Sequence, residues 1–73
     1  GYRYIPATHD RENPASGRVM QKLGMGYRYS YLEQWMPKDI PVTFRMYQLN
    51  FDGSDWTYLE YWNRYEPHFI ETI

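Results

Sequence analysis

The chain has no cysteine. Disulfides are therefore excluded, and thiolate metal sites with them. Histidine is scarce too: His9 and His68 are the only two, which argues against a structural zinc site. Long apolar runs are missing. None approaches the ~20 residues needed to cross a bilayer, and no signal peptide is visible. Neither sign of charge dominates. Eight Lys and Arg face nine Asp and Glu, for a formal net charge of −1. No basic stripe is evident, so a nucleic-acid partner has no electrostatic footprint. The lack of cysteine gives a cytoplasmic protein as the expectation.

What is present is aromatic. Nine Tyr, three Trp and three Phe make up 21% of only 73 residues. That is too much for a disordered chain. A domain this short buries only roughly 60% of its unfolded surface and commonly needs outside support. With no disulfide and no metal available, packing against a second chain is one source of that support. The chain also opens directly on Tyr2-Arg3-Tyr4-Ile5, which reads as a strand, with no initiator Met. The expectation is a piece of a longer sequence; a processed chain is the other reading.

Residues 2–8 are rich in β-formers and predict a strand. Pro6 inside it implies an edge or a bulge. His9-Asp10-Arg11-Glu12 then reads as a polar connector, with no second cluster to make His9 and Asp10 a metal or acid–base pair. Asn13 is a good helix N-cap, and Pro14 fits the first helical position, where its missing N–H costs nothing. Ala15, Val19, Met20 and Leu23 recur at helical spacing and predict the buried face. Gly24 sits where a left-handed C-cap is wanted. The helix is therefore placed at 14–23.

Alternation then predicts a strand over 25–36, with Tyr27, Tyr29, Tyr31, Glu33 and Trp35 on one face. Pro37 to Pro41 reads as a turn. A second strand over 42–50 pairs back on the first as an antiparallel hairpin. Phe51-Asp52-Gly53 ends it. A helix of about 56–66 follows, with Tyr58, Tyr61, Trp62 and Tyr65 as an aromatic stripe, ended by Pro67. The expected fold class is α+β, with residues 1–50 as one unit and 51–73 as an aromatic extension. The stripe packs either within the chain or across an interface.

The run N-P-A-S-G-R-V-M-Q-K-L-G-M at 13–25 resembles the last motif of the GNAT superfamily of N-acetyltransferases. The nearest branch in pattern is that of the ribosomal-protein-alanine acetyltransferases. The shared pattern is roughly N-x-x-S-x-[RK]-[VL]-x-x-K-x-G-[FM]. It is met at Asn13, Ser16, Arg18, Val19, Lys22, Gly24 and Met25. The flanks are similar as well, because in the family a strand precedes the motif and two antiparallel strands follow it. The resemblance covers about 2–50 and implies the C-terminal half of such a domain. It offers nothing for 51–73.

What the resemblance implies is transfer of an acetyl group from acetyl-CoA to an amine, on a protein N-terminus or a small molecule. Asn13 would contact the pantetheine arm of the cofactor. Ser16 would lie near the thioester sulfur and protonate the departing thiolate. Arg18 and Lys22 would lie toward the phosphates. Some relatives place a base on the following strand; the gapless count falls on Trp35, with Glu33 two residues earlier on the same face. The same residues have plainer readings: Asn13 as a cap, Ser16 as a solvated first-turn serine, Arg18 and Lys22 as a solvated face. The family's Gly-containing pyrophosphate loop has no counterpart in residues 1–12. Acetyl-CoA binding and catalysis by these residues alone are therefore expected to be poor. A rival expectation is a self-associating or partner-binding module, a homodimer for example. It would use an open strand edge or exchanged elements, through the hairpin and the aromatic helix.

Overall fold

In a computed structural model, residues 3–35 and 39–72 are described. The chain runs β1 (Tyr4–Asp10), α1 (Pro14–Lys22), β2 (Gly26–Trp35), β3 (Ile40–Asn50), α2 (Glu60–Arg64) and β4 (His68–Phe69). The strands form one antiparallel sheet of order β1-β3-β2-β4. The fold class is thus α+β, as expected. Tyr2, Met36, Pro37 and Lys38, where the first strand, the hairpin strand and the turn were placed, lie outside the described residues. No helix among the described residues is long and apolar enough to cross a membrane.

The expected hairpin is β2–β3, in register from Gly26↔Gln48 to Trp35↔Ile40. Strand β1, which has no neighbour in sequence, pairs with the far side of β3, from Tyr4↔Asn50 to Asp10↔Phe44. Phe51 N–H donates to Arg3 O, and Arg11 N–H donates to Thr43 O. Odd-numbered residues of β1 therefore bond to β3, and even-numbered ones point their backbone groups away from it. Pro6, an even position, loses no ladder bond. That is why a proline sits in this strand, and it marks the edge that the sequence predicts.

Register divides the side chains between two faces. One carries Thr8, Met46 and Tyr29, then Phe44 and Tyr31, then Val42 and Glu33; the other carries His9, Arg45 and Ser30, with Tyr47 and Tyr27. Tyr27 was expected beside Tyr29 and Tyr31. A β-bulge between Tyr27 and Tyr29 inserts Arg28 and moves Tyr27 to the opposite face. There its ring meets Tyr47 edge-on at 5.7 Å.

The core lies on the first face. Tyr29, Tyr31 and Met46 are buried, with Phe44, Tyr58, Tyr61, Trp62 and Tyr65 packed against them. Tyr31 is the hub: its ring stacks on Tyr65 at 5.0 Å, Tyr61 at 5.3 Å and Phe44 at 5.7 Å. The aromatic stripe of the C-terminal segment is thus used within the chain. The helix expected over 56–66 is corrected to one turn, Glu60–Arg64. Side chains of the sheet take the backbone groups that a longer helix would need. Gln48 receives Tyr58 N–H and donates to Trp56 O, Asn50 donates to Trp56 O, and Tyr29 Oη donates to Tyr58 O. Residues 68–69, read as tail, instead add a short strand to the β2 edge opposite Ser30 and Tyr31.

Helix α1 lies on the other face, and its orientation corrects a second expectation. Of the four residues expected on the buried face, Met20 is half-buried, whereas Ala15, Val19 at 57% exposure and Leu23 at 65% face outward. Gly17 is the buried residue of the helix. A Cβ there would stand 2.8 Å from His9 Nε2. The missing side chain lets the helix backbone rest on the His9 ring, which turns the apolar stripe away from the sheet. Both helix ends lie within one residue of expectation. Gly24, at φ +86°, closes a Schellman cap, in which its N–H bonds Gln21 O and Met25 N–H bonds Met20 O.

Candidate functional site

The site residues proposed from the sequence sit on α1 and on β2. Asn13 occupies the N-cap position, but its side chain makes no capping hydrogen bond. Asp10 closes this turn instead: its carboxylate takes Glu12 N–H at 2.8 Å, and its main-chain oxygen takes Asn13 N–H at 2.9 Å. The cap expected of the Asn13 side chain is therefore corrected, and its amide stands exposed at the helix mouth. Ser16 is half-buried in the first turn, and its N–H reaches Asn13 O at 3.3 Å. Arg18 and Lys22 are exposed one turn apart. Asn13, Ser16, Arg18 and Lys22 are thus brought together on one short helix.

Glu33 is not brought to them. It lies on β2 opposite Val42, on the face that carries Tyr31 and Phe44, with the sheet between it and α1. Its Oε2 accepts Trp35 Nε1–H at 2.8 Å. A hydrogen bond with Glu33 is also the main reason the Tyr65 phenol is pushed up from its ordinary pKa.

The mouth of α1 carries charge of both signs. No acidic residue occupies its first turn, but Asp10 and Glu12 immediately precede it, and the Asp10 carboxylate accepts Glu12 N–H there. Beside it, His9, Pro14, Gly17, Arg18, Gln21, Arg45 and Tyr47 line a cleft of about 160 Å³. His9 was read as part of a polar connector; it is instead a buried residue of β1. Its Nδ1 lies 2.8 Å from Asp10 O, the main-chain oxygen rather than the carboxylate, and its Nε2 is buried against Gly17 with no hydrogen-bond partner among the described residues. Among the described residues, no three His, Cys, Asp or Glu side chains gather to hold a metal ion.

Sequence reading missed a charged cluster around Glu71. Glu71 Oε2 accepts from Arg45 Nε at 2.7 Å and Ser30 Oγ at 2.7 Å, while Oε1 accepts from Arg11 Nη1 at 3.0 Å. Glu71 N–H donates to Tyr27 Oη at 2.9 Å. The Arg45 guanidinium, with Ser30 and Arg11, holds the Glu71 carboxyl at about 2, well below the usual carboxylate range. These partners are 26 to 60 positions apart in the chain, so no local spacing announces them. This cluster ties the C-terminal segment across the α1 face of the sheet.

The second missed set is at the other end of β1 and β3. Arg3, Tyr4, Asn50, Asp52, Ser54 and Trp56 line a cleft of about 280 Å³. Comparison with known proteins adds no relative to this picture: no family model, no curated protein and no solved structure matches the chain.

Proposed function

We propose that the chain is part of a GNAT-type N-acetyltransferase and supplies one wall of its acetyl-CoA site. The observation that carries this reading is the mouth of α1. The Asn13–Met25 motif falls on a helix set between a strand and an antiparallel pair, its first turn holds no acid, and Arg18 lines the cleft beside it together with Arg45, which is paired to Glu71. In this reading the exposed Asn13 amide bonds the pantetheine arm, and Arg18 and Lys22 face the phosphates. The acceptor amine attacks the thioester carbon, the C–S bond breaks, and Ser16 Oγ–H protonates the departing thiolate. Glu33 lies across the sheet from Ser16. An amine deprotonated by Glu33 would sit on the Tyr65 side, away from that thiolate, so the base comes from outside these residues. With no pyrophosphate loop in the 73 residues, transfer by this chain alone is negligible.

The test is an NMR titration with acetyl-CoA. A helix terminus with a few charges supplies on the order of 4 kcal/mol, a Kd of about 1 mM. Shifts should be saturable in that range and confined to the amides of residues 13–22. No shift at roughly 10 mM would refute the cofactor wall. Micromolar binding would refute the claim that the missing loop dominates affinity.

A second reading, self-association as a homodimer, is favoured by the outward stripe of α1. Val19 and Leu23, together with Ile5 at 43% exposure on β1, leave apolar surface uncovered. The aromatic helix no longer belongs to that reading, because its rings pack on the chain's own sheet. Light scattering decides it: a monomer at millimolar concentration removes this reading and leaves the first intact.

A further inference from the structure

The geometry points to a saccharide-binding platform at Trp56, in the cleft between the start of β1 and the loop after β3. It is a site separate from the mouth of α1. Tyr4, at its base, is six residues along β1 from Asp10, where the α1 turn begins, and a strand rises roughly 3.3 Å per residue.

Trp56 is held in the open. It is 52% exposed, yet the loop that carries it is tied down. Gln48 is 1% exposed, and all of its amide is engaged. Its Nε2 donates to Trp56 O at 2.8 Å and to Asn50 Oδ1 at 2.6 Å, while its Oε1 accepts Tyr58 N–H at 2.9 Å. Asn50 Nδ2 donates to Ser54 O at 2.8 Å and Trp56 O at 2.9 Å. Asp52 Oδ1 accepts Ser54 N–H at 3.0 Å. Two amide side chains of the sheet therefore fix both ends of the 54–56 segment. The indole meets Tyr4 edge-on, with centroids 4.7 Å apart and planes at 64°. That contact props the ring, as does the Tyr58 ring, set at 70° to it with centroids 6.5 Å apart, and the residue stays half open to solvent.

The surroundings select the ligand. The cleft, at about 280 Å³, lies just below the range of ligand pockets, roughly 300–1,000 Å³, and so takes one ring rather than an extended molecule. Arg3 offers donors and Asp52 offers acceptors on the same rim. Opposite charges side by side suit a neutral ligand that carries both hydroxyl donors and hydroxyl acceptors. The carboxylates of Asp52 and Asp55 in this loop repel a phosphate, which weighs against nucleotides. A pyranose meets each demand: its C–H face lies on the indole, and its hydroxyls bond Asp52 and Arg3.

The experiment follows the Trp56 indole N–H and the Arg3 and Asp52 amides by NMR. The probes are methyl β-glucopyranoside, methyl α-mannopyranoside and N-acetylglucosamine. At least one should give saturable shifts at these three residues, with a Kd of about 1 mM or weaker. Trp56→Ala should weaken that binding at least about tenfold, and Trp56→Phe should keep it within about threefold, since a flat apolar face remains. Asp52→Asn keeps the bond to Ser54 and should weaken binding severalfold. Trp56 and Asp52 are exposed, so these variants retain the fold, which the unchanged core amides would verify. Absence of saturable shifts up to roughly 50 mM of all three probes would overturn the proposal. So would shifts indifferent to Trp56→Ala, or tighter binding of guanosine, a flat ring without a pyranose face.

Discussion

Replacing Gly17 with Ala tests how α1 is seated. In an isolated helix the change is favourable by about 1 kcal/mol, because alanine loses less backbone entropy than glycine. Here the new methyl would lie 2.8 Å from His9 Nε2 and 3.1 Å from His9 Cε1. The ring cannot swing away freely. His9 is 5% exposed, its Nδ1 bonds Asp10 O, and Tyr47 stands behind it with ring centroids 5.4 Å apart. Either the helix lifts from the sheet or the ring leaves its bond. Overpacking of this kind costs roughly 1–3 kcal/mol. The balance is a net loss of about 1 kcal/mol, which lowers Tm by roughly 4–8 °C in a domain of this size. Urea denaturation of Gly17→Ala, His9→Ala and the double variant measures it. Removing the ring removes the clash, so the two changes should couple by about 1 kcal/mol or more. A Gly17→Ala protein more stable than the parent, or strictly additive losses, would refute the account of why this helix approaches the sheet through Gly17.

Other consequences follow from the same contacts. Glu71 has its pKa lowered to about 2 in the folded chain, against an ordinary 4.5, so its stabilisation is complete above pH ~4.5 and is lost as pH falls toward 2. Arg11 is 41% open to water, and screening limits the effect to about 1–2 kcal/mol; Glu71→Gln should flatten the acid limb of a stability–pH curve, and an unchanged limb would refute the tie. Tyr29 is raised to about 12, mainly by burial. Its stabilisation is complete below pH ~10 and is lost as pH rises toward 12, and Tyr29→Phe should cost about 1–2 kcal/mol by orphaning Tyr58 O. Gly24→Ala at φ +86° should cost about 1 kcal/mol and shorten α1, read by circular dichroism and urea titration. Lysine at both Val19 and Leu23 should change monomer stability by no more than about 0.5 kcal/mol, because both are exposed; a loss of several kcal/mol would show that the stripe is buried.

Local chemistry made part of the fold legible. Pro14 and Gly24 bracket α1 because each meets a backbone condition within its own turn. Alternation revealed β2 and β3 because each has one face on the core. Where a partner distant in sequence intervened, the pattern misled. The spacing of Tyr58, Tyr61, Trp62 and Tyr65 is helical, and these rings do share a face. But Gln48 and Asn50 compete for the backbone at Trp56 and Tyr58 and keep the first half of that segment out of the helix. The bulge at Arg28 carries no turn residue to announce it, and it alone moves Tyr27 to the other side of the sheet.

The candidate site was legible to the extent that it lies on one helix. Asn13, Ser16, Arg18 and Lys22 share α1 by spacing alone, whereas the face on which Glu33 falls depends on the register of β2 against β3. An apolar stripe also names two surfaces at once, since a helix can bury Val19 and Leu23 or the Gly17 side, but not both. The sequence favours the stripe by hydrophobicity. The structure favours Gly17, because only a residue without a side chain admits the His9 ring, and this contact also brings Arg18 beside Arg45. One small residue thus sets both features on which the functional readings depend: the cleft beside the mouth of α1, lined by Arg18 and Arg45, and the uncovered apolar stripe behind it.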